Sequence, residues 1–216
     1  LKSGSDRSSF IQELIQNADD CDYPDGQIPT FTLTQHGEKI RTEYNEIGFT
    51  RANIRAITAI GESTKNSLLE GDLSKIGEKG VGFKTVFALA SEVKIFSGEY
   101  NFLLKAEEPT VPKIVSRPET IFDGTRMEIE LKNSHQTYSL KATDILELCL
   151  CLRKLKNLNI NGHKVSIKDA DNQRTISIDN RTYSFSTYIH EFIISDEKAL
   201  EERKNGTREI ISKQQI

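Results

Sequence analysis

Glu13-Leu14-Ile15-Gln16-Asn17-Ala18-Asp19-Asp20 is the stretch on which the reading of this chain turns. Wound at 100° per residue, Glu13, Asn17 and Asp20 fall within about 60° of one another. Ile11, Leu14, Ile15 and Ala18 gather on the opposite side, so the pattern predicts a helix with one apolar stripe and one polar face. Ser8 and Ser9 offer a cap, with Gln12 three residues after Ser9, and the turn Tyr23-Pro24-Asp25-Gly26 ends the helix near Cys21. Such a polar face serves a plain surface helix as well as a site. As a site, the carboxamide oxygen of Asn17 suits a hard cation such as magnesium. Glu13, one turn earlier, stands where it can orient and deprotonate a water.

A second stretch, Lys75-Ile76-Gly77-Glu78-Lys79-Gly80-Val81-Gly82-Phe83-Lys84, runs into a short helix expected over residues 83 to 90. Free N–H groups at a helix start, with a dipole of about half a positive charge, favour an anion. Lys75, Lys79 and Lys84 add positive charge. Glycines so spaced also serve turns and bulges, and the P-loop order G-x-x-x-x-G-K-[ST] is absent. Together the two stretches point to a nucleotide held with magnesium beside a water-activating carboxylate.

Composition sets the frame. A chain of 216 residues has room for one large domain or one and a half smaller ones, burying roughly 70–75% of its unfolded surface. A net charge of −3 gives no overall pull toward nucleic acid. No apolar run approaches the ~20 residues that span a bilayer, so no membrane association is expected. Cys21, Cys149 and Cys151 are odd in number and lack zinc spacing. They read as buried free thiols of a reducing compartment, and hence as an intracellular (cytoplasmic or nuclear) protein. The chain opens on Leu1 and stops at Ile216 within a charged helical stretch, so a piece of a longer protein is expected.

Between the two stretches, residues 31–34 and 40–44 read as a hairpin of strands, and Thr50 caps a helix over 51–60 with Ile54, Ile57 and Ile60 on one side. Residues 61–79 are polar and glycine-punctuated, as a mobile loop would be. Strands are expected at 92–97, 101–105 and 126–131, then a helix over 141–155. A β-meander (158–160, 164–168, 174–178 and 183–194) and a charged helix from Asp196 follow. Grouped helices and mostly antiparallel strands make the fold class α+β. Residues 1–156 read as the nucleotide domain, and 157–216 as the start of a following unit.

Glu-x-x-x-Asn-Ala-x-Asp on a helix resembles the N-box of the GHKL (Bergerat-fold) ATPases. Glu46-Ile47-Gly48-Phe49-Thr50 is similar to the end of their second box, residues 76–83 to their glycine box, and Asp123-Gly124-Thr125 to their final Gly-Thr element. The sacsin and NO VEIN-like branch, related to the ninety-kilodalton heat-shock chaperones, is similar in finer texture at Gly61-Glu62-Ser63-Thr64-Lys65.

The resemblance implies a two-layer sandwich with helices on one face of a mixed or antiparallel sheet. It implies Glu13 as general base, Asn17 as magnesium ligand and Asp20 near the nucleotide. Residues 61–79, Lys65 among them, would form an ATP lid. Gly77 and Lys79 would belong to the phosphate loop, with main-chain amides of Gly80, Val81, Gly82 and Phe83 on the phosphates and Lys84 beside them. Gly48 would let the adenine approach the backbone, and Thr125 would touch the adenine region. Tyr44 stands where the family usually has an adenine-reading Asp; Asn45 or Glu46 is then left to take over that contact. The implied activity is Mg-ATP binding with slow hydrolysis that moves a lid and reshapes a larger chaperone-like or defence-type protein. The implied partners are ATP, the rest of the parent chain and an ATP-dependent second copy. A nucleotide-gated interaction module with little turnover is the alternative.

Overall fold

A computed structural model describes residues 5–58, 85–120, 122–132, 140–187, 191–193 and 213–215. They form a sheet-dominated α+β fold in which ten strands share one sheet, in the order 181–186, 173–178, 163–170, 157–160, 30–36, 39–44, 125–131, 90–97, 100–105 and 108–114. Two compact units are present: Leu1–Ile167 with Ile176–Thr182, and Lys168–Thr175 with Tyr183–Ile216.

The first unit begins with α1 (Ser5–Asp19), which starts three residues ahead of the expected cap. Strands β1 (Thr30–His36) and β2 (Lys39–Tyr44) pair as the expected hairpin, Phe31 opposite Tyr44 and His36 opposite Lys39. Helix α2 (Arg51–Thr58) follows. Its start is closed reciprocally: Asn53 Oδ1 accepts from the Thr50 N–H at 2.8 Å, and the Asn53 N–H donates to Thr50 Oγ1 at 3.3 Å. A 3-10 turn (Thr85–Ala88) leads to β3 (Ala90–Ser97), β4 (Tyr100–Lys105), β5 (Glu108–Ile114) and β6 (Thr125–Leu131). Helix α3 (Ala142–Cys151) precedes β7 (Asn157–Ile160), which lies parallel to β1 with Thr30 opposite Asn157. Strands β8 (His163–Ala170), β9 (Gln173–Ile178) and β10 (Arg181–Ser186) continue the sheet.

Two expectations are corrected here. Strand β5 is an unforeseen edge strand, because Pro109 and Pro112 disguise it; proline is tolerated only where one side of a strand needs no ladder bonds. Helix α3 stops at Cys151 instead of 155, since the amides of Arg153, Lys154 and Leu155 donate to the Asp19 carboxylate and not to carbonyls of the preceding turn.

Register and burial sort the sheet into two faces. Phe31, Leu33, Ile40, Val93, Ile95, Met127, Ile129, Leu158 and Ile160 are buried on one. Ile11, Leu14, Ile15 and Ala18 of α1 and Ile145, Leu148 and Cys149 of α3 are buried as well. The opposite face is charged: Arg41 meets Glu128 at 3.3 Å and Lys94 meets Glu92 at 3.4 Å. Arg126 and its ladder partner Phe96 are nonetheless buried there, Arg126 beneath the Phe122 ring at 4.1 Å and held by Glu43 at 2.7 Å. Cys21 and Cys149 are buried as expected, whereas Cys151 is exposed. Among the described residues no helix is long and apolar enough to cross a membrane.

In the second unit, Arg174 grips Asp169 at 2.6 Å, the Thr187 N–H donates to Asn172 O at 2.8 Å, and β11 (Glu191–Ile193) pairs antiparallel with β12 (Lys213–Gln215).

Candidate functional site

The apolar stripe of α1 is buried, which leaves Glu13 and Asn17 half-buried on the other side of the helix. Asp20, third on that face, spends its carboxylate on the Arg153 guanidinium at 2.7 Å. Beyond the helix the chain turns toward β2. Cys21 Sγ donates to Asn17 O at 3.2 Å, Tyr23 donates to Ala18 O at 2.8 Å, and the Ile47 N–H donates to Asp22 O at 3.0 Å. The end of α1 is thereby stitched to the segment after β2.

That segment divides its side chains sharply. Tyr44 turns inward, 4% exposed, and stacks on Phe31 with ring centroids 6.1 Å apart. Burial pushes its phenol well above the ordinary tyrosine range, and the neighbouring Cys21, Glu46 and Tyr23 add to the shift. Burial raises Tyr23 likewise. Asn45 turns outward and closes the 27–30 loop. Its oxygen accepts from the Thr30 N–H at 2.8 Å and its amide donates to Ile28 O at 3.0 Å. Glu46 is 6% exposed, and its carboxylate accepts from the Thr125 hydroxyl.

The Thr125 hydroxyl also meets Ser97 Oγ, which accepts from the Phe49 N–H at 2.7 Å. Chemistry fixes the polarity of this chain. A main-chain N–H only donates and Thr125 donates to Glu46, so the protons point from Phe49 through Ser97 and Thr125 to Glu46. Three chain segments, 46–49, 97–98 and 123–125, are locked around one buried carboxylate.

Glycines permit the approach. Gly124 has φ +78°, and a Cβ there would overlap Tyr44 O and lie 2.7 Å from Glu46 N. Gly48 has φ +92° and would set a Cβ 3.5 Å from Gly98 N. Both backbones are left-handed where L side chains are disfavoured.

At the end of α1 the Asp19 carboxylate, 4% exposed, accepts the N–H groups of Arg153, Lys154 and Leu155, each at 2.8 Å. Lys154 Nζ donates to Cys21 O at 2.7 Å and pairs with Asp22 at 2.9 Å. Arg153 and Lys154 thus tie down the end of α1 and the turn that follows it.

Glu13, Asn17, Tyr44, Glu46, Gly48 and Thr125 lie on segments that the structure links by hydrogen bonds, packing or direct chain continuity. Lys65, Gly77, Lys79, Gly80, Val81, Gly82, Phe83 and Lys84 lie outside the described residues, as does the expected lid. Sequence reasoning missed Ser97 and Asp19. A serine ending a strand carries no signal of its own, and Asp19 is masked by the acid beside it. Two grooves of about 590 and 320 Å³ lie on the charged sheet face, the first lined by Thr30, Asn157 and Lys164 and the second by Arg41, Glu128 and Glu130. Neither contains a residue of this constellation. Among the described residues no cluster of three or more His, Cys, Asp or Glu side chains is arranged to hold a metal.

No protein-family model matches the chain. Over 111 residues it is 40% identical to protein NO VEIN of Arabidopsis thaliana; the match covers 51% of this chain and 4% of that protein. The chain therefore spans a small fraction of the relative's length.

Proposed function

We propose that this chain is a Bergerat-type module of the NO VEIN-like branch that binds Mg-ATP and hydrolyses it slowly. The observation that supports this most is the buried carboxylate of Glu46 held by Thr125, with Gly124 pressed against the Tyr44–Glu46 backbone. It draws the segments resembling the second box and the Gly-Thr element into one corner, and the segment leaving the N-box helix is bonded to the same corner.

In this reading the adenine lies against Gly48, and Glu46 accepts its exocyclic amine. Asn45 is committed to the 27–30 loop and Tyr44 to Phe31, which leaves Glu46 as the buried acceptor beside Thr125. A carboxylate has about four lone-pair sites, enough to serve Thr125 and a base together. The oxygen ligand for magnesium is Asn17. Magnesium held there would offset phosphate charge. Glu13 takes the proton of the attacking water. Both side chains sit on the half-buried polar face of α1, as such roles require. By the same resemblance the amides of residues 80–83 would hold the phosphates, and residues 61–79, closing over them as a lid, would carry nucleotide state into the parent protein.

One observation favours the gating alternative. Arg153 and Lys154, the cations that meet the end of α1, are engaged by Asp20 and Asp22. Phosphate release at saturating Mg-ATP separates the readings. Hydrolysis predicts a fall of about 10²–10⁴-fold on Glu13→Ala. Equal background rates in both proteins leave a nucleotide-gated module without turnover.

A further inference from the structure

We infer that Asp19 is a positioning residue that sets the direction in which Asn17 faces its ligand, an inference that rests on the Mg-ATP reading above. A carboxylate in the last turn of a helix opposes the macrodipole, and one that is 4% exposed has also lost its water. Asp19 is held there by three charge-assisted bonds of 2.8 Å: Oδ2 accepts from the Arg153 N–H, and Oδ1 accepts from the N–H groups of Lys154 and Leu155.

The donors are themselves fixed to the sheet. The amides of Lys156 and Asn157 donate to Pro29 O at 3.0 and 3.2 Å, and β7 then runs parallel to β1. Leu152, just before the donor amides, and Leu155, which carries the last of them, are buried at 2% and 0% exposure. Asp19 thus ties α1 to the sheet through a loop that has its own anchors. On the helical wheel it lies about 160° from Asn17, so the grip pulls from the side opposite the ligand face. Apolar packing of Ile11, Leu14, Ile15 and Ala18 tolerates a small rotation or slide of the helix. Three directional bonds at its end do not. The ion pair of Asp20 with Arg153 is exposed and adds little to this restraint.

Asp19→Asn keeps the shape and the two bonds on Oδ1 but sets an amide N–H₂ against the Arg153 N–H, donor to donor. Asp19→Ser retains one acceptor and serves as a second variant. Ile176→Val, in a fully buried strand position away from α1, controls for a general loss of stability. The readout is the ratio of the ATP dissociation constant in EDTA to that in magnesium, measured on the full chain with near-ultraviolet circular dichroism as the check of folding. The expected result is a ratio reduced about tenfold in Asp19→Asn, reduced at least as far in Asp19→Ser, and the wild-type ratio in Ile176→Val. A wild-type ratio well above one that persists in folded Asp19→Asn or Asp19→Ser overturns the positioning role. A wild-type ratio of one overturns the Mg-ATP reading itself, and the positioning role with it.

Discussion

A Cβ on Gly124 would overlap the main-chain oxygen of Tyr44, so the turn before β6 is pressed against the end of β2 with no space between them. Gly124→Ala should therefore cost about 1–2 kcal/mol for the left-handed backbone and about 1–3 kcal/mol for overpacking. Gly26 has a similar φ of +76° and open space around it, so Gly26→Ala should cost only the backbone part. Urea unfolding of both variants measures the contact as the difference.

Glu46 is predicted to choose the base. In Glu46→Gln the side chain still reaches Thr125 but offers an amide N–H₂ where a carboxylate stood. ATP affinity should fall by about 1.5–3 kcal/mol, roughly ten- to a hundredfold, while GTP affinity changes little. Parallel titrations with the two nucleotides read this directly. An unchanged ATP-to-GTP ratio removes Glu46 from base recognition.

Alkaline pH should destabilise the protein through two tyrosines. Tyr44 and Tyr23 both keep their protons in the fold above the ordinary tyrosine pKa, so the folded state binds more protons than the unfolded state once pH exceeds about 10. The stabilisation is complete below pH 10 and is lost as pH rises beyond it, with a slope of about −1.4 kcal/mol per pH unit for each tyrosine. Urea midpoints between pH 9 and 11 check the sign, and Tyr44→Phe should flatten the slope.

Thr42 lies fully buried between Leu33 and Met127, and its hydroxyl has no hydrogen-bond partner among the described residues. Thr42→Val keeps the branched shape and removes the unpartnered group. Stability should rise by about 1 kcal/mol, seen as a higher thermal midpoint.

The central sheet was legible in the sequence where one face is apolar and the other polar. Phe31 and Leu33, Ile40 and Tyr44, and Met127 and Ile129 alternate with charged or hydroxyl residues, and the structure buries that set. The helical stripe of α1 was equally plain. Bonds spanning more than a hundred residues leave no local trace, so the donation from residues 153–155 to Asp19 was invisible and α3 was drawn too long. Strand β5 was hidden by its prolines. At the candidate site, Tyr44 was visible as a departure from the family pattern. Which neighbour stands beside Thr125 depends on rotamers: Asn45 turns out to Ile28 and Glu46 turns in.

The most direct test is a calorimetric titration of the full chain with ATP, with and without magnesium, for the wild type and Asn17→Ala. The account predicts binding to the wild type that magnesium strengthens, and loss of that magnesium effect in a folded Asn17→Ala protein. No ATP heat in the wild type, or a magnesium effect that survives in Asn17→Ala, contradicts it.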